Sequence, residues 1–147
     1  YDAPNLKAVL GDPERLKLFP FARFDLAAIE HYLGVEATPC YCTKIASKLV
    51  RTYTDRHGLK MLVEELLGES ISKAQQSSDW GGPDLNDAQR EYAASDVRFL
   101  PRMKDELDRR LAREGRTELA QACFDFLPTR ARLDVAGWAE HDIFSHM

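Results

Sequence analysis

No stretch of this sequence is long and apolar enough to cross a bilayer, and its start carries no secretory-leader pattern. Both absences argue against a membrane protein and make a cytoplasmic one the expectation. Cysteine is scarce: Cys40, Cys42 and Cys123 form an odd set with C-x-C spacing. That spacing is neither a zinc knuckle nor a redox C-x-x-C motif, so the three are expected reduced, in the core or on a strand. The competing metal reading would need His31 or His57 to converge on them by folding. Basic charge is not in excess either, since 20 Lys and Arg against 24 Asp and Glu leave a net charge of -4. Tight non-specific binding to long nucleic acid, which rests on neutralising many phosphates, is disfavoured. Short or locally recognised anions stay open. An initiating methionine is also missing, because the chain begins at Tyr1. A fragment or a processed product is therefore expected.

What is present is globular in composition. At 147 residues, 44% hydrophobic and 30% charged, the chain fits one domain over 1–147 that buries a core without disulfides. A short helix is predicted over 6–10, closed by Gly11 and Asp12-Pro13, then a strand over 16–19 halted by Pro20. A helix over 24–33 follows, with Gly34 as its left-handed stop. A second strand is expected around Cys40-Tyr41-Cys42, after which Thr43 caps a helix burying Ile45, Ala46, Leu49, Val50 and Tyr53. Thr54 or Asp55 is expected to cap the next helix, with core positions Leu59, Leu62, Val63 and Leu66 and an end at Gly68. The polar run over 72–83 reads as a loop with Trp80 pinned into the core. Asn86 and Gln89 resemble a capping box opening a long helix, and Pro101 should kink or restart it after Leu100. A last helix over 118–127 stops before Pro128. The tail, 129–147, has too many apolar residues for a loose end, and is expected to pack on the body or on another subunit.

Chemistry concentrates in a few positions. Tyr92 and Asp96 stand four residues apart on one helical face that continues through Phe99 and Met103. A carboxylate in so apolar a row needs a partner or a metal, unless it lies in a first turn that reaches water. Asp25 lies in the first turn of a helix after a strand, a place that the helix dipole alone favours for an acid. Lys44, Lys48 and Arg51 recur at helical steps and make a positive stripe, with Arg56, His57 and Lys60 just beyond. A solvated face and an anion site are both open for them.

The motifs resemble a known family. Phe21-Ala22-Arg23-Phe24-Asp25 resembles the second exonuclease motif of RNase D-like 3′-5′ exonucleases, DEDD superfamily, tyrosine branch. Tyr92-Ala93-Ala94-Ser95-Asp96 resembles the third. Longer runs, 42–49, 51–60, 75–80 and 123–128, are similar to the compact bacterial nanoRNase C group. The resemblance implies an α/β, RNase H-like exonuclease fold, here incomplete at its N-terminus so that helices dominate. It implies removal of 5′-mononucleotides from the 3′ end of short RNA or diribonucleotides, with Mg²⁺ or Mn²⁺ in a two-ion site. By the match, Asp96 ligates metal directly, Asp25 acts mainly through bound water, and Tyr92 holds the attacking water. Lys44, Lys48, Arg51, Arg56, His57, Lys60 and Gln76 are the substrate-binding candidates. A homo-oligomer is implied as well.

Departures bear on activity. The family's first motif is an Asp-x-Glu on the first strand; before Asp25 that spacing occurs only at Asp12-Pro13-Glu14, which reads as the turn closing the first helix and not as a strand, so two of the four acids are expected to be missing. Pro20 stands where relatives carry histidine, and Pro101 where helix formers are usual. The sequence therefore reads either as a piece of a longer enzyme or as an impaired remnant. The reading from another class is a non-catalytic RNA-binding or oligomerisation module.

Overall fold

The computed structural model of the chain describes residues 4–69 and 87–146, and for 87–97 the backbone alone. It forms two compact units, residues 1–42 with 117–147, and residues 43–116.

The first unit is built on a β-α-β turn. Helix α1 (Pro4–Leu10) leads into strand β1 (Lys17–Phe19), which pairs in parallel with β2 (Cys40–Cys42), Leu18 facing Tyr41. Two parallel neighbours need a crossover, and α2 (Ala22–Leu33) supplies it. It begins two residues before the predicted start and ends at Gly34, whose φ of 67° is the left-handed stop read from sequence. Lys17 fastens the entry to the sheet. Its buried ammonium donates to the carbonyls of Asp12 and Thr38, and burial lowers its pKa.

Helix α6 (Thr117–Leu133) closes the unit, burying Ala120, Phe124, Leu127 and Ala131 at helical spacing. Phe124 packs on Tyr41 with ring centroids 4.5 Å apart. Pro128 was expected to lie beyond the helix, but it lies inside it. A proline leaves the carbonyl four residues earlier without its helical donor. Here that carbonyl is Phe124's, and the Cys40 thiol donates to it at 3.7 Å. Burial and this substitute donor carry the helix past the proline. A π-helical turn, Asp134–Trp138, follows. The expected tail thus begins as helix, and residues 134–146 attach to α2 through Asp134, while Trp138, Ile143 and Phe144 remain exposed.

The second unit packs α3 (Thr43–Val50) and the pair formed by α4 (Leu59–Leu62) and a π-helical turn (Val63–Leu67) on α5 (Asp87–Arg113). Leu62, Val63, Phe99 and Met103 make its buried cluster, with Leu59, Leu66, Leu67 and Leu100 around it. Helix α5 runs through Pro101 without the predicted restart. Pro101 is exposed, on the side away from Met103 and Leu107, so the large side chains buried on the other face hold the helix together. That burial outweighs a proline penalty of about 3 kcal/mol.

Two caps and one core position differ from expectation. Thr43 starts α3, but among the described residues its buried hydroxyl has no hydrogen-bond partner. Gly58, in extended conformation, precedes α4 in place of Thr54 or Asp55. Thr54 Oγ1 instead accepts from the Arg56 amide at 3.1 Å. Tyr53 is exposed rather than buried, because α3 ends at Val50 and the helical stripe ends with it. The predicted loop over 72–83, with Trp80 and the Asn86 cap, lies outside the described residues.

Candidate active site

Asp25 sits in the first turn of α2, just past the carboxyl end of β1, the end of a parallel strand where open α/β folds place ligands. The local sequence does not cap this turn. Phe21 occupies the N-cap with no side-chain hydrogen bond. What fixes the turn comes from far along the chain: the Ala22 amide donates to Cys42 Sγ at 3.5 Å, and Arg23 grips Asp134. Asp25 itself is half-buried, and loss of water raises its pKa above the ordinary carboxylate value. No positive neighbour among the described residues offsets that shift. A carboxylate drawn out of water without a counter-charge has the chemistry of a cation ligand, and a divalent ion fits it.

Tyr92 and Asp96 lie on the backbone of α5, one turn apart. Their side chains are outside the described set, as is Gln76. The same row continues to Phe99 and Met103, which are buried against Leu62 and Val63. Among the described residues no group of three or more His, Cys, Asp or Glu is placed to hold a metal ion.

The basic candidates separate into two kinds. Lys48 and Arg56 are exposed, and Lys44 and Lys60 are half-buried, Lys60 lying 3.8 Å from Glu64. Arg51 breaks the predicted stripe, because it is only 1% exposed. Its guanidinium pairs with Glu65, donates to Ser47 Oγ at 3.0 Å, and donates to the Arg56 carbonyl at 2.5 Å. Ser47 Oγ lies 2.7 Å from His57 Nδ1, and Tyr53 donates its hydroxyl to Glu65 at 2.8 Å. Since Arg51 donates to Ser47, the serine proton is free to go to His57 Nδ1, which selects the neutral ring. Burial lowers the His57 pKa first, and the Arg51 charge adds to it. The Arg51 hydrogen bond holds Glu65 below the usual carboxylate range.

Lys48, Arg51, Thr52, Thr54, Asp55 and His57 line a cavity of about 460 Å³ beside this network. Of these, Arg51 and His57 are buried and Lys48 is exposed. Sequence reading did not single out Ser47 or Glu65. No spacing rule links Glu65 to Arg51, 14 residues away, across a loop and a helix.

Residues 1–112, which include Asp25, Tyr92 and Asp96, match the family described as 3′-5′ exonuclease. Ribonuclease D of Gluconacetobacter diazotrophicus is 38% identical over 117 residues, covering 80% of this chain and 30% of that protein. The chain thus spans about 30% of the length of this relative. Among solved structures, Brucella melitensis NrnC is 60% identical over 99% of this chain and 71% of its own, with a TM-score of 0.93. The same protein bound to pGG is 59% identical over the same shares, also with a TM-score of 0.93. It has also been solved with bound Mg²⁺, at a TM-score of 0.92. The α/β exonuclease fold expected from the motifs is the fold of these neighbours. Matched over most of its length, the chain belongs to the 3′-5′ exonuclease family, in its RNase D-like part.

Proposed function

We propose that the protein is a metal-dependent 3′-5′ exoribonuclease that hydrolyses short RNA, down to diribonucleotides, to 5′-mononucleotides. The supporting observation is 59% identity, over 99% of the chain, to the structure of NrnC bound to pGG. Asp25 and Asp96 are the carboxylates that take Mg²⁺ or Mn²⁺, and Tyr92 orients the attacking water. When bound, the metal activates that water and steadies the departing oxygen. Asp25 must be ionised for this role. Burial alone opposes that ionisation, so cation binding and proton loss at Asp25 are linked.

Lys48 and Arg56, with Lys44, Lys60 and Gln76, bind the phosphates of the substrate. Arg51 and His57 serve the same surface from below, since their polar atoms are engaged with Glu65 and Ser47. The protein works as a homo-oligomer in the cytoplasm. Among the described residues no helix is long and apolar enough to cross a membrane.

The test uses the complete protein, a 5′-phosphorylated diribonucleotide, and Mg²⁺ or Mn²⁺. Mononucleotide release is expected, lost on chelation and lost in Asp25→Asn and Asp96→Asn. The 147-residue chain alone, whose one Asp-x-Glu, Asp12-Pro13-Glu14, lies in an exposed turn before β1 and not on a strand, is expected to turn over weakly or not at all. Robust turnover by it would show that the missing acids are dispensable. The missing motif also favours one other reading, a non-catalytic RNA-binding module. Short-RNA binding without divalent metal that survives Asp25→Asn with Asp96→Asn would select that reading.

A further inference from the structure

Beside Asp25 lies an ionic knot whose carboxylate belongs to neither the family match nor the motifs. Arg23 donates from Nε to Asp134 Oδ2 at 2.8 Å and from Nη2 to Asp134 Oδ1 at 2.9 Å, a two-pronged pair. Its Nη2 also donates to the Ala139 carbonyl at 2.8 Å. Arg130 reaches the same carboxylate, with Nε at 3.1 Å and Nη2 at 2.9 Å from Oδ1. It also donates to the carbonyls of Trp138 and His141. Asp134 lies beyond residues 1–112, the span of the family match.

Position gives this knot its consequence. The first turn of α2 has no side-chain cap, so its backbone is not set by local sequence. It is set by the Cys42 thiol on the Ala22 amide and by Asp134 on Arg23. A thiol accepting at 3.5 Å is a weak anchor, whereas a bidentate guanidinium–carboxylate pair is a directional one. Asp25 is two residues further along the same turn. We propose that Asp134, acting through Arg23, is a positioning residue that sets the first turn of α2 and thereby the aim of the Asp25 carboxylate. Arg23 is thus occupied in the fold and is not a phosphate contact. The proposal rests on the exonuclease reading of Asp25.

The two arginines give an internal control, because both touch Asp134 and only Arg23 belongs to α2. The complete protein and its Arg23→Gln, Asp134→Asn and Arg130→Gln variants are assayed on a 5′-phosphorylated diribonucleotide, well below each Tm. Loss of aim of about an ångström lowers kcat about 10- to 100-fold with KM nearly unchanged, and this is expected for Arg23→Gln and Asp134→Asn. Mn²⁺ binding without substrate, read from the electron paramagnetic resonance of free Mn²⁺, weakens in the same two variants. Arg23→Lys keeps the charge without the fork and is not expected to restore either readout. Arg130→Gln lowers Tm and leaves kcat and Mn²⁺ affinity in place.

Unchanged kcat and Mn²⁺ affinity in Arg23→Gln would overturn the proposal, as would an equal loss of kcat in Arg130→Gln. A wild type that releases no nucleotide overturns the exonuclease reading and the proposal with it. An active wild type with an unaffected Arg23→Gln overturns the positioning role alone.

Discussion

The Asp134 network of one unit and the Arg51 network of the other, both arginine–carboxylate networks, are built differently. In the first, a single carboxylate, Asp134, sits between two guanidiniums that also take backbone carbonyls. Every member holds a fixed charge at neutral pH. In the second, one guanidinium, Arg51, serves Glu65, Ser47 and the Arg56 carbonyl, and the chain ends on a histidine. The first is anchored by charge surplus, the second by a proton position. The first network therefore resists acid to a lower pH than the second.

The sharpest break in the comparison is expected from Glu65→Leu. Arg51 is left almost wholly buried with its charge unpaired, at a cost of about 3 kcal/mol. A lower urea midpoint with an unchanged slope would show it; a midpoint within error of wild type would refute the account of Arg51. Asp134→Ala is expected to cost less, about 2 kcal/mol, because Arg23 is 40% exposed and can turn to water. If Asp134→Ala proves the more damaging in the same titration, the ranking of the two networks is reversed.

Third in size is a pH effect whose sign follows from linkage. His57 has a folded pKa below its ordinary 6.5, owing to burial and then to Arg51, with Lys48 opposing protonation and Asp55 favouring it. The unfolded chain takes the proton first, so stability is full at neutral pH and falls as pH drops below 6.5. Glu65 and Asp134 are held low by Arg51 and Arg23, and their contributions start to fall near 4.5 and 3.8. Asp25, pushed up by burial, works in the opposite sense, since protonation costs the folded state less. The difference in Tm between wild type and His57→Gln cancels Asp25. That difference should narrow as pH falls from 7 towards 5, through the ordinary value of 6.5; a constant difference would place His57 outside the network. The smallest effect is Thr43→Val, neutral or stabilising by up to about 1 kcal/mol, since the hydroxyl it removes is buried without a partner. A fall in the urea midpoint would mean that the hydroxyl is bonded after all.

These outcomes turn on features that the sequence shows unequally. Gly34 and Gly68 marked their helix ends, because a left-handed φ is a local demand that glycine meets. The second and third motifs were legible as marks of the family because each is a short contiguous run, 21–25 and 92–96, inside the matched residues 1–112. Pro128 misled, since the donor that replaces its missing amide comes from Cys40, 84 residues from Phe124. Arg51 misled for a related reason. Helical spacing tells which residues share a face, but not whether a carboxylate from another helix arrives to draw one of them inside. Thr43 read as a cap because its residue type favours one, and burial against the core decided otherwise.

The cysteines described above carry a practical consequence. Cys40 is buried with its thiol pushed up to about 11, so it stays protonated near neutral pH, and Cys42, 1% exposed, is out of a reagent's reach. Cys123 is half-buried on α6, four residues before Leu127 and on the helix that leads to Asp134. A maleimide dye should therefore load at one site without any engineering, and would report on the C-terminal segment as Arg23 and Asp134 are altered.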